Sequence, residues 1–178
     1  MMSEKIIKAA EFAKNAHESI DQRRKYSNEP YIVHPEAVAE LVTTVTDDVE
    51  MICAAWLHDV VEDTPISLTE IHSHFGAGIG ELVDDLTDPA QRADGNRATR
   101  IAINYKHTAQ ASVRAKTVKL ADVIHNLTGI VECDPNFAWK FVQEKKQLLE
   151  VLNAGDQTLF KLADAMVKDC VIKLERMK

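Results

Sequence analysis

The sequence predicts an all-α protein, a compact bundle of several helices. Three observations carry that expectation. Ala, Leu, Val, Ile, Glu and Lys dominate a chain of 178 residues that holds only six glycines and five prolines, and that composition favours helix. Apolar residues return at helical spacing in one segment after another. No segment alternates apolar and polar positions convincingly over six or more residues, so no sheet is expected.

Residues 4–20 place Ile6, Ile7, Ala10, Phe12, Ala13 and Ala16 on an amphipathic helix with Ser3 as its expected N-cap. DQRRKYSNEP is polar and carries turn residues at Ser27-Asn28 and Pro30, which predicts a loop. Pro35 suits the first turn of a helix running to about Thr44. Thr46-Asp47-Asp48 offers caps for one helix from about 48 to 63, ended by Thr64-Pro65. Ser67 with Glu70 reads as a capping box opening a short helix that Gly76 stops. Further helices are expected over about 77–87, 97–109 and 110–131, with 88–96 as a polar loop. Cys133-Asp134-Pro135-Asn136 breaks the chain, and 136–177 reads as two helices meeting near Asn153-Ala154-Gly155. Neither a repeat nor a linker divides the sequence, so one domain over 1–178 is expected.

A chain of this length removes roughly 70% of its unfolded surface from water, enough for a core without staples. Cys53, Cys133 and Cys170 lie far apart with no CxxC spacing and read as reduced, buried thiols of a cytoplasmic protein. MMSEKIIKAAEFA lacks the apolar stretch of a signal peptide. No run approaches 18 apolar residues, so no membrane partner is expected. The net charge of −7 argues against a nucleic-acid partner. It leaves room for an anionic small substrate, because a metal ion and a few basic side chains can reverse the field at a site. The sequence leaves the oligomeric state open.

The chemistry concentrates at His58-Asp59, inside the apolar run MICAAWLHDVVED. A buried charge is costly unless paired or bound to a metal. On a helix, residues four apart share a face, so His58 is expected above Glu62 and Asp59 above Asp63. Imidazole and carboxylate together suit a catalytic transition metal with open positions for water. His34 offers a third ligand and Asp122 a fourth, with Asn126 four residues beyond on the same face. Each residue also has a plainer reading. His34 beside Pro35 could be structural, Asp122 with Asn126 a buried hydrogen-bonded pair, and Glu62-Asp63 a solvated helix end. His17, His72, His74, His107 and His125 read as structural or surface residues. A phosphate ester needs charge neutralisation and an activated water, which a divalent ion and a nearby carboxylate supply. The loop Arg23-Arg24-Lys25 can hold phosphate oxygens, or be a solvated basic turn. Lys119, three residues before Asp122, can also meet phosphate, whereas Lys116 reads as a solvated helix residue.

His34, His58-Asp59 and Asp122 resemble the H…HD…D signature of the HD-domain phosphohydrolases. QRRKYSNEPYIVHPEAVAELV, AAWLHDVVEDTPISLTEIHSHFGAGIGELVDDLTD and AKTVKLADVIHNL resemble the (p)ppGpp hydrolase domain of the RelA/SpoT family, nearest to its small stand-alone hydrolases of the metazoan SpoT homologue type. The resemblance covers about residues 5–130. It implies an all-helical HD-domain bundle, a bound Mn²⁺ (or another divalent transition metal), and cleavage of the 3′-pyrophosphate of (p)ppGpp to GDP or GTP and pyrophosphate. His34, His58, Asp59 and Asp122 match the family's metal ligands. Glu62 and Asp63 match the pair that orients or activates water. Asn126 matches a residue near the ribose and metal, and Arg24 and Lys25 match the basic pair that approaches the nucleotide.

Two stretches depart from the family pattern. The loop after LTD reads DPAQRADGNRATR, with Arg92, Arg97 and Arg100 but no lysine. FVQEKKQLLEV places Lys145 where the family carries an aromatic ring near the base. The alternatives are therefore a metal-dependent phosphohydrolase of another nucleotide, or a non-catalytic nucleotide-sensing module. Glu62 and Asp63 argue against a pure binder, which has no need of a water-activating pair.

Overall fold

The computed structural model describes residues 3–177, and their extended regular structure is all helix apart from one 3-10 turn. An isolated bridge between Arg23 and Pro30 is the only β pairing among the described residues, so the expected all-α class holds. Met1, Met2 and Lys178, the ends of the expected 1–178 domain, lie outside them. The backbone forms two units that divide after Asp88.

The first unit holds α1 (Glu4–Glu18), α2 (Val33–Thr43), α3 (Val49–Leu57), α4 (Val60–Asp63), α5 (Leu68–Phe75) and α6 (Ala77–Leu86). α3 is its axis. Met51, Ile52, Cys53, Ala54, Ala55 and Leu57 are all buried, and α1, α2 and α6 pack around them. Such an all-round apolar helix is a core helix. Asp48 caps it, accepting from the Glu50 and Met51 amides at 3.0 and 3.2 Å. The capping box of α5 forms as expected, with Ser67 N donating to Glu70 at 2.8 Å. Gly76 ends α5 at φ +88°, a conformation that favours glycine. Ser3 stands at the N-cap of α1 without a side-chain cap bond.

The helix expected over 48–63 is broken. α3 ends at Leu57 and α4 begins at Val60, with His58 and Asp59 at the joint. At the joint the His58 ring turns back on α3, with Nδ1 2.7 Å from the Ala55 carbonyl.

The loop between α1 and α2 is tied at its base. Tyr31 N donates to Gln22 O at 3.0 Å and Arg24 N to Glu29 O at 2.9 Å. Asn28 turns the tip at φ +58°, a region Asn tolerates better than most residues.

The second unit holds the 3-10 turn Arg92–Asp94, then α7 (Arg97–Gln110), α8 (Val113–Leu127), α9 (Ile130–Cys133), α10 (Pro135–Leu152) and α11 (Gln157–Arg176). α8 is its axis, with α10 and α11 packed against it. The expected helix over 110–131 is shorter at both ends. Ser112 caps a fresh start by accepting from Ala115 N at 3.2 Å. At the other end Gly129 sits at φ +74°, which a right-handed helix cannot continue through. Gly155 lets the α10–α11 turn approach α8, since a Cβ there would lie 3.2 Å from the Lys116 backbone. Lys116, expected in solvent, instead donates to Ala109 O at 2.9 Å.

Candidate metal centre

The break in α3–α4 aims the doublet. With the Ala55 carbonyl as acceptor, the neutral His58 ring must carry its hydrogen on Nδ1. That leaves the lone pair on Nε2, the form in which a metal-ligating histidine is held by a bond from its other nitrogen. The same Nε2 lies 3.3 Å from His34 Nε2 and 3.1 Å from Asp59 Oδ2. His34 Nε2 to Asp59 Oδ2 is 3.4 Å. Ligands about 2.1 Å from one ion stand ~3.0 to ~3.4 Å apart in octahedral and tetrahedral geometry. The three atoms thus form a triangle of the size that one cation requires. Both imidazoles are 1% exposed, and the Asp59 side chain 18%. Nitrogen and oxygen donors in this mix suit a divalent transition metal.

Sequence reasoning missed the residues that hold this triangle. Tyr31 donates its hydroxyl to Asp59 Oδ2 at 2.6 Å, and its ring meets His34 edge-on with centroids 5.7 Å apart. Gln22 Nε2 donates to Asp63 Oδ2 at 2.8 Å. Behind it His17 Nδ1 lies 2.7 Å from Gln22 Oε1. His17 belongs to this network and is 1% exposed, which selects the structural alternative of its reading over the surface one. The helical pattern gives no hint of a 41-residue contact such as Gln22 with Asp63.

Glu62 and Asp63 are exposed at the end of α4. Glu62 Oε2 accepts from the Asp88 amide at 3.2 Å. Protein packed around the Asp63 carboxyl, with the Asp59 charge behind it, pushes its pKa up, against the bond from Gln22. Arg24 stands over the Tyr31 ring, 5.7 Å from its centroid. Lys25 lies 4.9 Å from the Tyr26 centroid.

In the second unit α8 gathers Lys119, Asp122 and Asn126 as its period predicts. Asp122 is 5% exposed. Its Oδ1 accepts from Asn126 Nδ2 at 2.6 Å and its Oδ2 lies 3.4 Å from Lys119 Nζ. Lys119 therefore reaches Asp122. Arg97 is held by a two-pronged bond to Glu144, 2.8 and 2.6 Å long, and lies over Phe137. Lys145 stands 4.9 Å from the Phe141 centroid.

An HD domain family model matches residues 9–157. The human guanosine-3′,5′-bis(diphosphate) 3′-pyrophosphohydrolase MESH1 is 38% identical over 133 residues, covering 73% of this chain and 72% of that protein. A probable guanosine-3′,5′-bis(diphosphate) 3′-pyrophosphohydrolase of Synechocystis is 35% identical over 150 residues, 83% of this chain, but the chain spans only 19% of its length. A solved structure of a metazoan ortholog of SpoT, described as hydrolysing ppGpp and acting in starvation responses, superposes with a TM-score of 0.83 at 27% identity, over 94% of this chain and 96% of that one. HD hydrolases are metal-dependent, and the His34–His58–Asp59 triangle gives this chain the donors for it. By the match over 9–157 and the doublet at its metal triangle, the chain belongs to the HD domain family.

Proposed function

We propose that this chain is a Mn²⁺-dependent guanosine-3′,5′-bis(diphosphate) 3′-pyrophosphohydrolase that converts (p)ppGpp to GDP or GTP and pyrophosphate. The observation that carries this reading is the triangle of His34 Nε2, His58 Nε2 and Asp59 Oδ2, in a chain 38% identical to a human protein of that name. His34, His58 and Asp59 would hold the ion, with Asp122 as the fourth ligand from the family resemblance. Bound there, a divalent ion would neutralise phosphoryl charge and acidify water. The choice of Mn²⁺ rests on the resemblance, since the donor set also suits Fe, Co and Zn.

The protein's own groups do the rest. Asp63, its basicity raised by its surroundings, takes the proton of the attacking water. The water oxygen bonds to phosphorus as the ester P–O bond breaks, and the ribose 3′-oxygen leaves and gains a proton. Glu62, braced by the Asp88 amide, helps to orient that water. Arg24 and Lys25 hold phosphate oxygens. By the family resemblance Asn126 serves near the ribose, and Lys119, on the same helix face as Asp122, is the candidate to meet phosphate. The family match, which includes residues of both units, supports one HD hydrolase domain. No described helix is long and apolar enough to cross a membrane. Three free cysteines fit the reducing cytoplasm.

Purified protein incubated with ppGpp and Mn²⁺ should yield GDP and pyrophosphate. A folded protein that turns over no ppGpp with Mn²⁺, Fe²⁺, Co²⁺ or Zn²⁺ overturns the reading. The Arg97–Glu144 fork favours a second reading, since it withdraws one basic side chain from the loop that would meet the substrate's phosphates. A panel in which another phosphorylated nucleotide clearly outpaces ppGpp would select that reading.

A further inference from the structure

We infer that His17 and Gln22 are positioning residues for Asp63, linked in a one-way chain of hydrogen bonds that holds the carboxylate as an acceptor. The inference rests on the reading of Asp63 as the group that activates water.

The direction of the chain follows from chemistry. An ionised Asp63 only accepts, so the Gln22 amide nitrogen must face it. The 2.8 Å contact is made by Nε2. Gln22 Oε1 is then turned to His17 and only accepts, so His17 Nδ1 must carry the hydrogen across the 2.7 Å contact. Burial holds the His17 pKa below its ordinary value, which keeps the ring neutral with one hydrogen. That hydrogen is spent on Gln22.

The other ring nitrogen shows that packing alone does not explain this histidine. His17 Nε2 is buried and has no hydrogen-bond partner among the described residues. An unsatisfied buried polar atom is costly, and an apolar side chain would fill the same space without that cost. The fold therefore tolerates the orphaned nitrogen while the opposite one donates. The His17 ring packs on Tyr31, with centroids 4.7 Å apart, and Tyr31 in turn orients Asp59. Gln22 itself is fixed by its backbone, whose carbonyl accepts from Tyr31 N. Asp63 is thus steered from the end of α1, far off in sequence.

The test compares single and double variants. Gln22→Leu and His17→Leu should each lower kcat for ppGpp by roughly tenfold, with KM and bound Mn²⁺ as in the parent. The double variant should lose no more than the weaker single, because the two act as one unit. His17→Asn, whose amide nitrogen takes the place of Nδ1, should recover most of kcat. Nitrogen-resolved NMR of the metal-free protein should find His17 protonated at Nδ1, and Gln22→Leu should shift that signal. A double variant whose loss is the product of the two singles overturns the inference. So does a His17→Asn variant no better than His17→Leu, or a His17 protonated at Nε2. An inactive parent protein would instead overturn the reading of function, and the NMR result would still decide the chain. If His17→Leu does not fold, Gln22→Leu and the NMR signal of the parent decide it alone.

Discussion

The two units each place charge on their central helix, and they handle it in opposite ways. In the second, α8 runs unbroken through Lys119, Asp122 and Asn126. Asp122 there has an ammonium near one oxygen and an amide on the other. In the first, the central helix breaks at His58 and Asp59. Asp59 there faces two imidazole nitrogens and a tyrosine hydroxyl. A regular helix brings opposite charges together at three- and four-residue spacing. A broken one turns neighbouring side chains toward a common point, and that is how two adjacent residues can both face one ion.

The largest effect that would break this comparison is Asp59→Ala. Removing the one carboxylate of the triangle should abolish metal binding, measured by elemental analysis of the purified protein, and bring turnover to background. Unchanged metal content would make the triangle a structural cluster held by its hydrogen bonds alone. Next in size is Lys119→Met. It leaves the buried Asp122 carboxylate without its ammonium, and breaking a buried pair costs roughly 3 kcal/mol. Urea unfolding of the metal-free protein should show that loss, and a change under about 0.5 kcal/mol would mean solvent already screens the pair.

The smallest effect concerns the two cores. Burial pushes the Cys53 thiol on α3 up to about 11 from 9.0, and burial also raises Cys170 on α11. The folded form keeps the Cys53 proton where the unfolded chain gives it up. Stability therefore falls as pH rises through 9.0 toward about 11. The loss should reach about 1 kcal/mol near pH 9.5, and Cys53→Ala should flatten that slope in urea unfolding. Cys133 is exposed rather than buried as expected, and at neutral pH it should alkylate well before the other two.

The contrast between the units also explains what could be read in advance. The α8 cluster was legible because helical spacing alone dictates it. The caps at Asp48 and Ser67 and the stop at Gly76 were legible because a single residue type carries each. The break at His58-Asp59 was hidden, since apolar periodicity runs straight across it and no Gly or Pro marks it. Of the candidate ligands, His58 and Asp59 were legible as residue types out of place in an apolar run, whereas His34 beside Pro35 also had a plain structural reading. Tyr31, Gln22 and His17 were not, because their partners lie across the fold and nothing local marks them. The bond of Arg97 was hidden for the same reason, as its partner Glu144 sits on a different helix.

The tie at the base of the first loop separates two jobs. Gln22 and Tyr31, which orient the acidic residues, are clamped to each other by a backbone bond, and the Arg23–Pro30 bridge seals the stretch between them. Arg24 and Lys25 lie inside that seal. Lengthening or rewriting the hairpin tip adds little closure cost and leaves its anchor residues in register. The stretch from Arg23 to Pro30 can thus be rewritten while Gln22 and Tyr31, and the acidic side chains they bond, stay in place.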